Sequence, residues 1–145
     1  MPNIVIATQD EICQSAKNWF VKHQDCINDG SRIDELGDGD FLYIIAHDAE
    51  MKDGTEFIEY ICKFDSPMSK FTIRMIVCSA ASLLFSKGLM TPAERIANHF
   101  KRTVWASKTV VTGIWNDDGN ANFKGDFIRV DPETDIETLM ERLKI

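Results

Sequence analysis

Short runs of apolar residues alternate along the chain with longer segments in which apolar residues recur at helical spacing. The run NIVIAT at residues 3–8 is rich in β-branched residues, and LYIIA at residues 42–46 is apolar at consecutive positions. Such runs predict strands, and consecutive apolar positions favour a strand that is covered on both faces. The predicted strands are residues 3–8, 42–46, 71–77, 103–106, 109–115 and 127–130.

Helices are predicted where apolar residues recur every three or four positions, in residues 9–22, 56–64, 92–100 and 135–143. The third helix has a complete start signal, because Thr91 can cap it, Pro92 fits its first position and Glu94 completes a capping box. Strands and helices alternate through the first hundred residues. This order predicts an α/β fold, a three-layer sandwich with a mostly parallel central sheet and helices on both faces.

Two of the predicted strands end on a residue with a reactive side chain. LYIIA runs into His47, and the strand at residues 71–77 runs into Cys78. Ligands and catalytic groups in parallel α/β sheets gather at the carboxyl ends of the strands. If the two strands are neighbours, a thiol and a proton acceptor open onto the same edge, which is the arrangement that a cysteine nucleophile requires.

Length and charge narrow the class of protein. A chain of 145 residues is the size of one domain with its own core, so we expect a single domain over residues 1–145. The formal net charge of −7 argues against a nucleic-acid partner. No apolar run approaches the roughly 20 residues that span a bilayer, and the first residues, MPNIVIATQDE, contain neither a basic leader nor a long apolar segment. We therefore expect no membrane partner and a cytoplasmic location where the chain is made, although delivery into another cell by a dedicated secretion machine would leave no such mark.

The four cysteines do not have the spacing of a metal site. Cys13, Cys26, Cys62 and Cys78 form no C-x-x-C pair and have no histidine at ligand spacing, so neither a metal nor another cofactor is expected. We expect reduced thiols rather than disulfides, because the first residues do not resemble a secretion leader.

LYIIAH followed by IRMIVCSA resembles the paired motifs of the caspase-like cysteine peptidases, the group of caspases, legumains, gingipains and the self-cleaving protease domains of bacterial toxins. Members have an apolar strand ending in His-Gly, a crossover, and an apolar strand ending in the nucleophilic cysteine. The resemblance covers roughly residues 40 to 130, including the segment AERIANHFKRTVWASKTVVTGIW, which is similar to the helix and strand that follow the cysteine in bacterial members. Two features depart from the pattern: Asp48 replaces the glycine, and His47 and Cys78 lie closer in sequence than in caspases.

The resemblance implies a caspase-like fold and a cysteine endopeptidase, of the bacterial effector or toxin kind, that cleaves a protein or peptide substrate. His47 and Cys78 would be its catalytic dyad, and the backbone N–H groups of Asp48 and Cys78 would hold the oxyanion. No third member of a triad is evident from the sequence.

Two other functions stay open. The first is a catalytically inactive member of the fold that serves as a protein-binding module. The second, ranked last, is a flavodoxin-like or receiver-like domain, which would need phosphate-binding glycines after the first strand, where the sequence is ATQDE.

Of the remaining candidate residues, we expect His99 to face solvent, Cys62 to lie in the core, and residues 117–120 to form a hairpin turn rather than a calcium site.

Overall fold

The computed structural model describes residues 3–47, 54–65, 70–83, 90–132 and 136–143. Its strands, in chain order, are β1 (Asn3–Ala7), β2 (Cys26–Ile27), β3 (Phe41–Ile45), β4 (Thr72–Ile76), β5 (Val104–Ser107), β6 (Thr112–Trp115), β7 (Ala121–Lys124) and β8 (Phe127–Val130). Its α-helices are α1 (Glu11–His23), α2 (Thr55–Cys62), α3 (Pro92–Phe100) and α4 (Ile136–Leu143), and a 3-10 helix covers Gly30–Glu35.

Six strands form one mostly parallel sheet in the order β2-β1-β3-β4-β5-β8. The first five run parallel, and β8 pairs antiparallel with β5 at the edge. β6 and β7 form a separate antiparallel hairpin. The central strands β1 and β3 are almost wholly buried because both of their faces are covered, which explains why their sequences are apolar at consecutive positions.

Successive side chains of each strand point to opposite faces of the sheet, so the structure has two hydrophobic clusters. On one face, Ile4, Leu42 and Ile73 pack with buried residues of the 3-10 helix, α2 and α3. On the other face, Val5 and Tyr43 pack with residues of α1 and of the β6–β7 hairpin. The prediction of an α/β fold with a mostly parallel sheet flanked by helices is confirmed.

The start of α3 is the one that the sequence predicts. The Thr91 hydroxyl accepts a hydrogen bond from the Glu94 N–H at 3.1 Å, and the Glu94 carboxylate accepts one from the Thr91 N–H at 2.9 Å. The same carboxylate is bound by Arg142 of α4, with Nη1 at 2.7 Å, which attaches the last described helix to α3.

The sequence predicts no strand or helix in residues 23–40, where the structure has the two-residue strand β2 and the 3-10 helix. The predicted turn at residues 117–120 is present between β6 and β7, with Gly119 at a φ of 92°. None of the helices in the described part of the chain is long and apolar enough to cross a membrane.

Candidate active site at the carboxyl edge of the sheet

The order of the parallel strands gives the sheet a switch point between β1 and β3. β2 lies on one side of β1, whereas β4 and β5 lie on the other side of β3, so the direction of the chain connections reverses between these two strands. Ligands in open α/β sheets bind at such a switch point, outside the carboxyl ends of the strands. Asp10 follows β1, His47 follows β3 and Cys78 follows β4, so three polar residues lie at this edge.

Asp10 is the N-cap of α1, and its carboxylate is held from two sides. Oδ2 accepts a hydrogen bond from the Cys13 N–H at 3.1 Å, and Oδ1 accepts one from the Thr8 hydroxyl at 2.9 Å. An aspartate that follows a strand and precedes an apolar helix fits this capping role. The cap also fixes the direction in which the carboxylate faces at this edge of the sheet.

The His47 ring forms an ion pair or hydrogen bond with this carboxylate. His47 Nε2 lies 2.9 Å from Asp10 Oδ2, and the histidine side chain is 46% exposed. Desolvation acts to raise the pKa of Asp10, but hydrogen bonds from the Cys13 N–H and thiol, the Thr8 hydroxyl and the His47 ring outweigh it. Together they hold the pKa of Asp10 well below its usual range, so the carboxylate is negatively charged beside the imidazole at neutral pH.

Cys78 lies at the end of β4 in a backbone turn of an uncommon kind. Ser79 directly after it has a φ of 58°, which is rare for a residue with a side chain and is often found at functional sites. The Cys78 sulfur accepts a hydrogen bond from the Val111 N–H at 3.2 Å and lies 3.7 Å from the Val111 carbonyl oxygen. These two contacts tie the end of β4 to the segment that precedes Thr112.

His47 and Cys78 line the same small cavity, which has a volume of about 90 Å³. Cys13 contributes to its wall, as do Val111 and Trp115 from the segment that leads into and forms β6. In the described part of the chain, the ring of His47 hydrogen-bonds to Asp10 and the sulfur of Cys78 to Val111. The structure thus brings the two expected residues to one cavity, while their roles as base and nucleophile stay a prediction. Asp48, expected in the oxyanion hole, lies outside the described residues.

Asp10 and Cys13 belong to this site although sequence reasoning did not include them. A ligand atom of Asp10, the Cys13 sulfur and a ring nitrogen of His47 all lie within 4.8 Å of one another. The available signal was the polar stretch after β1, which is a third strand end beside those of His47 and Cys78. Cys13 is 3% exposed and packs in the hydrophobic cluster beneath α1.

The remaining cysteines lie away from the cavity. Cys26 is buried, and desolvation together with the charge of Asp25 raises the pKa of its thiol to about 12. The expectation that Cys62 lies in the core is wrong, because this residue is exposed and its sulfur lies 3.2 Å from His99 Nε2. His99 is exposed, as expected.

Two larger cavities adjoin the elements of the site. One, of about 420 Å³, shares Ile76 and Phe123 with the His47–Cys78 cavity and is lined mainly by aromatic side chains, among them Trp19, Tyr43 and Trp105. The other, of about 720 Å³, lies beside the carboxyl end of β1 and is lined largely by polar residues.

Comparison of the chain with protein-family models, with characterised proteins and with solved structures finds no match.

Proposed function

We propose that the chain is a caspase-like cysteine peptidase in which Cys78 is the nucleophile and His47 is the general base. The observation that carries the proposal is the shared cavity: His47 and Cys78 come from the carboxyl ends of adjacent parallel strands and line one concave site. The turn at Ser79 supports this proposal, because a residue with left-handed backbone conformation changes the direction of the chain directly after Cys78.

Asp10 adds an orienting group to this dyad. If the N–H at His47 Nε2 donates the hydrogen bond to the Asp10 carboxylate, the imidazole is neutral and its lone pair is on Nδ1. Nδ1 is then the nitrogen that can accept a proton. A carboxylate in this position holds the tautomer and stabilises the imidazolium that forms during the reaction. Asp10 is therefore a positioning residue in the proposed mechanism.

The reaction would be acyl transfer. His47 Nδ1 takes the proton of the Cys78 thiol, and the sulfur attacks the substrate carbonyl while the carbonyl electron pair moves to oxygen. Collapse of this oxyanion breaks the C–N bond, and His47 gives its proton to the leaving amine. Water then enters, His47 removes its proton, and hydrolysis of the thioester returns the proton to sulfur. The N–H groups of Asp48 and Cys78 are the proposed oxyanion donors.

The aromatic cavity beside the site favours substrates with a bulky apolar side chain. It shares two wall residues with the His47–Cys78 cavity, so a peptide whose carbonyl reaches Cys78 can place a neighbouring side chain in it. Its volume of about 420 Å³ falls in the range of small-molecule and side-chain pockets. A protein or peptide with an aromatic or large aliphatic residue near the scissile bond is the proposed substrate.

The test is the alkylation rate of each cysteine, measured with iodoacetamide at neutral pH by mass spectrometry. Cys62 is exposed beside His99 and would react first, so the Cys62→Ser variant is the background for every measurement. We expect Cys78 to react faster than Cys13 and Cys26, and the His47→Gln variant to slow the Cys78 reaction at least about tenfold. Preferential labelling of Cys13, or a Cys78 rate that does not respond to His47→Gln, would contradict the proposal.

Cleavage itself is tested on a library of peptides with varied side chains. Turnover that the Cys78→Ala variant abolishes, with a preference for aromatic residues, is the expected result. The resemblance also favours a bacterial effector or toxin delivered into another cell. On that proposal, production of the protein inside a host cell is harmful and the Cys78→Ala variant is harmless.

A protein-binding module is the second candidate, and the cavity of about 720 Å³ favours it. This cavity lies beside Thr8, Gln14 and Lys17, apart from the sulfur of Cys78, and its polar lining suits a ligand that forms hydrogen bonds. Under this alternative, Cys78 reacts no faster than Cys13, no peptide is cleaved, and substitution of Lys17 weakens binding of the partner.

A further inference from the structure

We propose that Asp10, Cys13 and His47 form a binding site for a divalent cation of the zinc type. Their ligand atoms, one carboxylate oxygen, one sulfur and one ring nitrogen, already lie within 4.8 Å of one another. The spacing of cysteines and histidines along the chain gave no sign of this site. It arises because β1 and β3 are neighbours in the sheet, so that the first turn of α1 meets the end of β3.

The distances suit four-coordinate zinc. With bonds of about 2.0–2.3 Å to oxygen, nitrogen and sulfur, ligand atoms in a tetrahedral site lie about 3.3–3.7 Å apart. His47 Nε2 and Asp10 Oδ2 are 2.9 Å apart, and no pair exceeds 4.8 Å, so movements of about 1 Å or less bring all three into place. The half-exposed His47 side chain provides this freedom.

The donor set selects the class of ion. A thiolate and an imidazole with a single carboxylate suit Zn²⁺, whereas Mg²⁺ and Ca²⁺ require mainly oxygen ligands. One charge on the carboxylate and one on the thiolate balance the two charges of the ion. The thiolate of Cys13 also lies in the first turn of α1, where the helix dipole favours a negative group.

The surroundings of the three ligands resemble those of a metal site. The Thr8 hydroxyl and the Cys13 N–H hold the Asp10 carboxylate, as outer hydrogen bonds commonly orient ligands around a metal. Cys13 and His47 both line the cavity of about 90 Å³, so a water molecule can take the fourth position.

Binding of the ion has a consequence for catalysis that rests on the proposed function. An imidazole that coordinates through Nε2 has its remaining proton on Nδ1, so it cannot accept the proton of Cys78. The ion and the general-base reaction therefore compete for His47, and Zn²⁺ inhibits the proposed peptidase activity. Binding itself does not require Cys78 to be a nucleophile.

The experiment uses the chain after removal of metals with a chelator, titrated with Zn²⁺ by calorimetry and with Co²⁺ by absorption. We expect one ion per chain and, with Co²⁺, a thiolate-to-metal charge-transfer band. The Cys13→Ser and His47→Gln variants each lower Zn²⁺ affinity at least about tenfold, and Cys13→Ser abolishes the band. The Asp10→Asn variant also binds Zn²⁺ more weakly. Because its side-chain oxygen can still cap α1, this loss of affinity is not explained by loss of folding.

Two control variants identify the site. Cys62→Ser removes the exposed Cys62–His99 pair, and Cys78→Ala removes the proposed nucleophile. We expect both to retain the ion and the band. Loss of the band in Cys62→Ser, or a Zn²⁺ affinity that Cys13→Ser and Asp10→Asn leave unchanged, would overturn the inference. If Cys78→Ala binds the metal and the peptidase test fails, the proposed function is rejected and the metal site stands.

Discussion

Arg102 and Asp65 form a buried ion pair on which we expect the stability of the α3 side of the fold to depend. Arg102 Nη1 donates a hydrogen bond to Asp65 Oδ2 at 3.0 Å, and Nη2 lies 3.0 Å from Oδ1 as an ion-pair contact. The arginine side chain is 5% exposed and the aspartate side chain 15%. The guanidinium also lies 4.1 Å from the ring centroid of Phe71, which is in the core.

The perturbation is Asp65→Asn, which retains the shape of the side chain and removes its charge. Breaking a buried pair by removing one partner costs about 3–5 kcal/mol, and the residual exposure of Asp65 favours the lower end, about 3 kcal/mol. The unfolding entropy of 145 residues is about 0.3 kcal/mol/K, so Tm should fall by about 10 °C. Thermal unfolding followed by circular dichroism, with urea denaturation beside it, measures both quantities.

The matched control is Asp131→Asn, which removes the charge of an ion pair with Arg129 in which both side chains are 60% exposed. Surface pairs contribute little, so Tm should hardly change. A second variant, Asp65→Leu combined with Arg102→Met, replaces the pair by apolar side chains and should recover more than half of the lost stability. If Asp65→Asn lowers Tm no more than Asp131→Asn does, the argument from burial is wrong.

Three further predictions concern single residues of the described structure. Ser79→Gly should stabilise the fold by about 0.5 kcal/mol in urea denaturation, because a left-handed backbone costs a residue with a side chain more than glycine loses in entropy, whereas Ser79→Val should destabilise it. Thr91→Ala should cost about 1 kcal/mol because it removes the cap of α3, and Thr91→Ser should retain most of that stability. The raised pKa of Cys26, about 12, means that the unfolded chain loses this proton first. Stability should therefore fall as pH rises from about 8.5 towards 12, and the decline should be smaller in Cys26→Ala; the opposite order would contradict the shift.

The elements that the sequence predicts well are those with a strong local signal. β3 is an apolar run, β4 has apolar residues at three of its five positions, and α3 begins at a capping box, so each is recognisable without knowledge of the rest of the chain. β7 was missed because its sequence, ANFK, is short and half polar, and its strand conformation depends on pairing with β6. A strand that is stabilised by its partner rather than by burial leaves little trace in a hydrophobic pattern.

The side chains of the site were predicted only in part for a similar reason. Asp10 has a complete local explanation as the cap of α1, so nothing in the sequence requires a second role for it. Cys62 was expected in the core because its neighbour Ile61 is on the apolar face of α2. Adjacent residues on a helix are rotated by about 100°, and this rotation takes Cys62 to the surface beside His99.

Strand order decides which of these residues can act together. Asp10, His47 and Cys78 each follow a strand, and the sequence shows that much. Whether they meet depends on β1, β3 and β4 being adjacent and parallel, since only then do the three carboxyl ends lie side by side. An order with β2 between β1 and β3 would separate Asp10 from His47 by a further strand, about 5 Å, and would remove both the orienting carboxylate and the three-ligand cluster. The chemistry of this edge therefore follows from the pairing of β1 with β3.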